Sequence, residues 1–144
     1  MSKADIAIKN FDAYNCAQSV VTAYAGDYGL TKNQALQTAV GFGGGMGRTQ
    51  DVCGAISGAV IILGLASNYK EEDGRPKIYE VYAKVHSFLN EFAAQKGTIK
   101  CRDLLEGCDL TSEEGQKVFK ERNLKENCRG YVRLCCDMLD KYLS

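Results

Sequence analysis

Apolar positions along this chain recur at helical spacing and almost nowhere alternate, so the pattern predicts helices. Between Phe11 and Tyr24, the residues Ala13, Cys16, Ala17, Val20 and Tyr24 fall on one stripe. Thr31-Lys32-Asn33-Gln34 has the spacing of a capping box and opens a short helix ending near Val40. Gly41 to Gly47, with glycine at five of seven positions, interrupts the pattern before a helix expected from about Asp51 to Asn68. Pro76, the single proline, stands where a first helical turn tolerates it. Beyond it, Ile78, Val81, Tyr82, Val85, Phe88, Leu89 and Phe92 trace the clearest amphipathic face, ending at Gly97. A short element follows around Cys101 to Leu105, then a second capping-box spacing at Thr111-Ser112-Glu113-Glu114. The last helix, Lys125 to Tyr142, puts Cys128, Tyr131, Val132, Cys135 and Leu139 on one face. The expected fold is all-α: one domain over residues 1–144, a compact bundle of five to seven helices around a buried, glycine-rich central helix.

Composition narrows the function. Lys plus Arg and Asp plus Glu number 18 each, so the net charge is zero, no run of like charges marks a nucleic-acid arm, and nucleic acid is not an expected partner. Val52 to Tyr69 carries no charge, but Gly54, Ser57, Gly58, Gly64, Ser67 and Asn68 suit helix packing, not a membrane span. Met1 to Phe11 lacks the apolar stretch of a secretory leader, so the expected compartment is the cytoplasm, where thiols stay reduced.

Seven cysteines in 144 residues then direct attention to sulfur. Cys53 follows the glycine stretch in what reads as the first turn of a helix capped by Thr49 or Asp51, where unpaired N–H groups and nearby Arg48 would lower a thiol pKa. Gly54, Ala55 and Gly58 leave the helix surface bare beside it; the alternative is a small residue at a crowded crossing. Cys16 and Cys128 lie on core stripes and read as packing when taken alone. Cys101 sits between Lys100 and Arg102, whose charges favour its ionised form. Cys108, after Gly107, is either exposed or a partner for Cys101, and adjacent Cys135 and Cys136 point apart on a helix and read as filler. No C-x₂-C pair occurs, and His86, the one histidine, reads as a half-buried structural residue. The glycine stretch matches no nucleotide-loop register. Gly43, Gly44 and Gly45, with Arg48, are instead expected either to form an anion-holding nest, able to steady a thiolate, or to mark a tight helix crossing.

Asn15-Cys16-Ala17-Gln18-Ser19-Val20, the glycine stretch, Cys53-Gly54-Ala55-Ile56-Ser57-Gly58-Ala59, Gly97-Thr98-Ile99-Lys100-Cys101 and Cys128 occur in one order. This ordered set resembles the C-GCAxxG-C-C family, whose members are described as redox-active. The family label writes glycine before its second cysteine, whereas Val52 precedes Cys53 here and Gly54 follows it. The resemblance implies four family cysteines, at Cys16, Cys53, Cys101 and Cys128. Three functions follow as expectations. The first is a thiol–disulfide oxidoreductase or electron-transfer protein, with Cys53 as the nucleophilic thiolate, another of the four as its partner, and a redox protein or small thiol as the reactant. The second is a metal-binding module whose four cysteines hold an iron–sulfur cluster or zinc. The third is a non-catalytic helical protein whose small-residue face pairs helices within the chain or in a homo-oligomer.

Overall fold

The computed structural model describes all residues from Met1 to Ser144 and is all-α. Its helices are α1 (Lys3–Asn10), α2 (Cys16–Tyr24), α3 (Lys32–Ala39), α4 (Gly54–Ala66), α5 (Gly74–Lys96), α6 (Cys101–Leu104), α7 (Glu113–Glu121) and α8 (Lys125–Tyr142). Apart from the single turn α6, all run eight residues or longer.

Capping sets the starts. Asn15 and Gln18 exchange side-chain and backbone hydrogen bonds, so α2 begins at Cys16 and not at Phe11 as the stripe had predicted. Ser2 and Asp5 form a similar box that opens α1, a helix absent from the sequence reading. Thr31 and Gln34 cap α3 as expected. Ser112, not Thr111, caps α7 by accepting a bond from the Gly115 N–H.

The glycine-rich α4 is buried at the centre, through Ala55, Ile56, Ala59, Ile62 and Leu63. It crosses α2 closely because Gly58 has no side chain: a Cβ there would lie 2.8 Å from the Ala17 carbonyl oxygen. Around this pair, α1, α5 and α8 contribute Ala4, Ala7, Phe88, Phe92, Val132, Cys135 and Leu139 to one apolar core. Tyr24 ties α2 to α8 by donating to the Cys136 carbonyl oxygen at 2.9 Å and to the Asp140 carboxylate at 2.7 Å. Cys135 and Cys136 are fully buried, as filler would be. No helix is long and apolar enough to cross a membrane.

The first half of α5 departs from its predicted face. Phe88 and Phe92 are buried, but Tyr82 is 62% exposed, and His86, expected half-buried, faces solvent.

Candidate redox site

Cys16, Cys53, Cys101 and Cys128 line one small cavity of about 20 Å³, closed by Gly54, Leu104, Leu105 and Tyr131. Each comes from the beginning of a different helix: Cys16 is the first residue of α2, Cys53 the cap of α4, Cys101 the first residue of α6, and Cys128 lies in the first turn of α8.

Backbone pairing sets two of these positions. Val52 and Lys100 form an isolated antiparallel bridge. The Cys53 N–H donates to the Ile99 carbonyl at 2.8 Å, and the Cys101 N–H donates to the Asp51 carbonyl at 2.7 Å. The chain therefore enters α4 and α6 from one shared point. Cys53 itself occupies the cap, so neither Thr49 nor Asp51 plays the role expected of it.

The glycine stretch becomes a short coil of the opposite hand. Gly44, Gly45, Met46, Gly47 and Arg48 are consecutive residues at φ between 59° and 71°. Residues with a Cβ resist that conformation by about 1–2 kcal/mol each, which is why glycine dominates here. The Gln50 and Asp51 N–H groups donate back to the Gly44 and Gly45 carbonyls, closing the coil. Gly45 is buried where a Cβ would lie 2.7 Å from both the Cys101 Cβ and the Asp51 nitrogen. The coil is thus no helix crossing. Of the coil, only the Gly44 N–H bears on a thiol: it favours the ionised form of Cys16, as do the helix N–H groups of Cys16, Ala17 and Ala55.

Gln50 is the polar residue that the sequence reading missed. Its side chain is buried, and its backbone also has positive φ. The amide donates to the Cys108 carbonyl at 2.6 Å and accepts from the Leu110 N–H at 2.9 Å, while also favouring the ionised form of Cys101. Tyr131 was likewise not assigned to the site; it closes the cavity and anchors α6 by donating to the Leu104 carbonyl at 2.8 Å. Cys108, read as exposed or as a partner for Cys101, is buried and its thiol donates to the Gly115 carbonyl at 2.8 Å.

Electrostatics reverse the expectation for Cys53. Burial pushes its thiol well above the ordinary range, the neighbouring Cys16 adds to this, and the N–H groups of Ala55 and Ile56 offset only part. A helix start does not outweigh the loss of water. Burial also raises Cys16, pushes Cys101 up to about 11 and Cys128 up to about 12. Cys16 is the common neighbour, raising Cys53, Cys101 and Cys128 alike through the repulsion their thiolates would exert on one another.

Access differs among the four. An open groove of about 300 Å³ runs over the site, and Cys16, Cys101 and Cys128 line it together with Gly43, Gly44 and Arg48. Cys53 lines only the inner cavity. Of the residues expected to hold an anion, Gly43, Gly44 and Arg48 therefore reach the groove, and Gly45 does not.

Four thiolates are the donor set of a zinc or iron–sulfur centre. As the side chains stand, no group of three or more His, Cys, Asp or Glu is arranged to hold a single metal ion. The inner cavity has room for about one water molecule.

The four cysteines that the family resemblance implied thus meet at one cavity. The chain belongs to the family described as "Putative redox-active protein (C_GCAxxG_C_C)", whose model matches residues 14–142. It is also similar to an uncharacterised protein of Archaeoglobus fulgidus, 29% identical over 114 residues that cover 74% of this chain and 76% of the relative. No solved structure matches the chain.

Proposed function

We propose that the protein is a dithiol–disulfide redox protein in which Cys16 is the entering nucleophile and Cys53 the resolving thiol. The observation that carries this reading is the placement of Cys16. It alone among the four combines a groove-facing position, several N–H groups favouring its thiolate, and contact with the segment that holds Cys53. A Cβ on Gly54 would lie 2.7 Å from Cys16 Sγ, so that sulfur rests against the residue next to Cys53.

In the reaction, the Cys16 thiolate attacks one sulfur of a substrate disulfide. A bond forms to that sulfur, and the other substrate sulfur leaves as a thiolate and takes up a proton. The Cys53 thiolate then attacks Cys16 Sγ, closing the Cys16–Cys53 disulfide and releasing the second substrate thiol. The two protein thiols lose two electrons and two protons; the substrate disulfide gains both. Because the first step needs a thiolate, burial makes it slow at neutral pH and faster as pH rises. Cys101 and Cys128 complete the cavity wall as a second, outer pair of thiols.

The test is oxidation of the reduced protein by a neutral disulfide, 4,4′-dithiodipyridine, followed by peptide mapping. A Cys16–Cys53 link that a reductant reverses is expected, and Cys16→Ser should abolish it. Failure of wild-type protein to form any internal disulfide would refute the reading. Anaerobic purification with metal analysis and a visible spectrum addresses the rival chemistry. Stoichiometric zinc, or iron with sulfide, held by these cysteines would replace the dithiol reading with a metal centre.

A further inference from the structure

Beyond the thiols themselves, the groove has a chemical character of its own. Its walls are mostly apolar, with Phe11, Val40, Leu105, Leu110 and Phe119 around the cysteines, and no aspartate or glutamate lines it. Arg48 is its only charged lining residue. That guanidinium is exposed and takes part in none of the ion pairs or side-chain hydrogen bonds of the protein. At the far edge, Lys125 and Arg129 lie over the Phe11 ring, but Arg129 is already balanced by Asp12 and Glu126. The Arg48 backbone belongs to the left-handed coil, and its Cγ packs so close to Gly44 that a Cβ there would meet it at 2.7 Å. A cation without a counter-charge, lining the same groove as a half-buried thiol, complements an anion.

We propose that this groove admits a small disulfide bearing a carboxylate, with Arg48 pairing with the carboxylate while the apolar wall holds the rest of the molecule against Cys16. The proposal rests on the dithiol reading and names its substrate class. The groove volume of about 300 Å³ lies at the lower end of small-molecule sites. An arginine fork is also the side chain best matched to a carboxylate. The chemistry is the exchange already described: one substrate disulfide becomes two thiols as two protein thiols become one disulfide.

The experiment compares two reagents on the full chain, 5,5′-dithiobis(2-nitrobenzoate), which carries two carboxylates, and neutral 4,4′-dithiodipyridine. The quantity read is the ratio of their second-order rates with Cys16, taken in a background where Cys101 and Cys128 are serine. Arg48→Glu should lower that ratio about tenfold, and Arg48→Lys should restore part of it. Added salt should lower the wild-type ratio and leave the Arg48→Glu ratio nearly flat. Equal ratios in wild type and Arg48→Glu overturn the role of Arg48 while leaving the dithiol reading intact. Wild-type protein that reacts with neither reagent at Cys16 overturns both. Using the ratio removes any general loss of folding from the comparison.

Discussion

Three glycines on one helix give a graded test of how tightly α2 and α4 approach. Replacing each of Gly54, Gly58 and Gly64 by alanine adds the same methyl group to α4 in three environments. At Gly58 the new Cβ would lie 2.8 Å from the Ala17 carbonyl oxygen and 3.2 Å from the Val20 Cβ. The first neighbour is backbone and cannot rotate away, so the helices must separate, which costs about 1–3 kcal/mol. Against this stands the intrinsic gain of alanine over glycine within a helix, about 1 kcal/mol. Gly58→Ala should therefore destabilise by up to about 2 kcal/mol, where an unhindered glycine would be stabilised by the same change. At Gly64 nothing lies within 4 Å, so only the gain remains, and Gly64→Ala should stabilise by about 0.5–1 kcal/mol. At Gly54 the Cβ would meet Cys16 Sγ at 2.7 Å and the Phe42 carbonyl oxygen at 2.9 Å. The sulfur can turn aside into the groove but the Phe42 carbonyl cannot, so Gly54→Ala should destabilise to a similar extent as Gly58→Ala and, by displacing the sulfur, also speed alkylation of Cys16. Urea unfolding of the reduced proteins measures the stabilities, and iodoacetamide labelling read by mass spectrometry measures the rate. If all three variants shift the urea midpoint alike, the close crossing described here is wrong. If Gly54→Ala leaves Cys16 labelling unchanged, the sulfur does not rest on that glycine.

Two further outcomes follow from burial. Thiols whose folded pKa is raised favour the protonated native state, so the native protein binds more protons than the unfolded chain above pH 9. Stability of the reduced protein is then fully present below the ordinary thiol pKa and falls as pH rises towards about 11 and 12, the values for Cys101 and Cys128. The loss should total several kcal/mol after allowance for solvent near Cys101. Unfolding curves at pH 8 and 10.5 measure it, with the Cys101→Ser/Cys128→Ser protein as control; matching slopes in both proteins would contradict the assignment. Separately, Gln50→Ala strands the Cys108 carbonyl and the Leu110 N–H, which should cost about 2–4 kcal/mol. It should also slow labelling of Cys101, because the amide that favours its thiolate is gone. A stability change within 0.5 kcal/mol of zero, on the order of an ordinary surface substitution, would show that the clamp does not hold.

Elements governed by local chemistry were readable before folding was known. The last helix occupies Lys125–Tyr142 as its apolar spacing predicts, and Thr31 with Gln34 opens α3. The start of α2 was misplaced because the apolar stripe runs upstream of Asn15, while the cap at Asn15 decides the boundary. α1 went unseen because its buried side, Ala4 and Ala7, is too small to mark a stripe. The four cysteines were identified by order and resemblance, but which one faces outward depends on helix crossings that no local pattern encodes. The same holds for the ionisation of Cys53, where a helix start and desolvation oppose each other and only the depth of burial decides between them. Gln50 was invisible for a related reason: a polar residue following a glycine-rich turn looks like a solvated loop until the 108–110 segment is seen to fold over it.

The bridge between Val52 and Lys100 has an evolutionary implication. Everything from Gly54 to Thr98, including the whole of α4 and α5, is an excursion that leaves one spot and comes back to it. Lengthening or trimming its distal tip near Glu71–Asp73 shifts neither anchor, since backbone bonds at the base fix both. That outer tip can vary in length or acquire new attachments, while α4 stays packed in the core and Cys53 and Cys101 keep their places at the root.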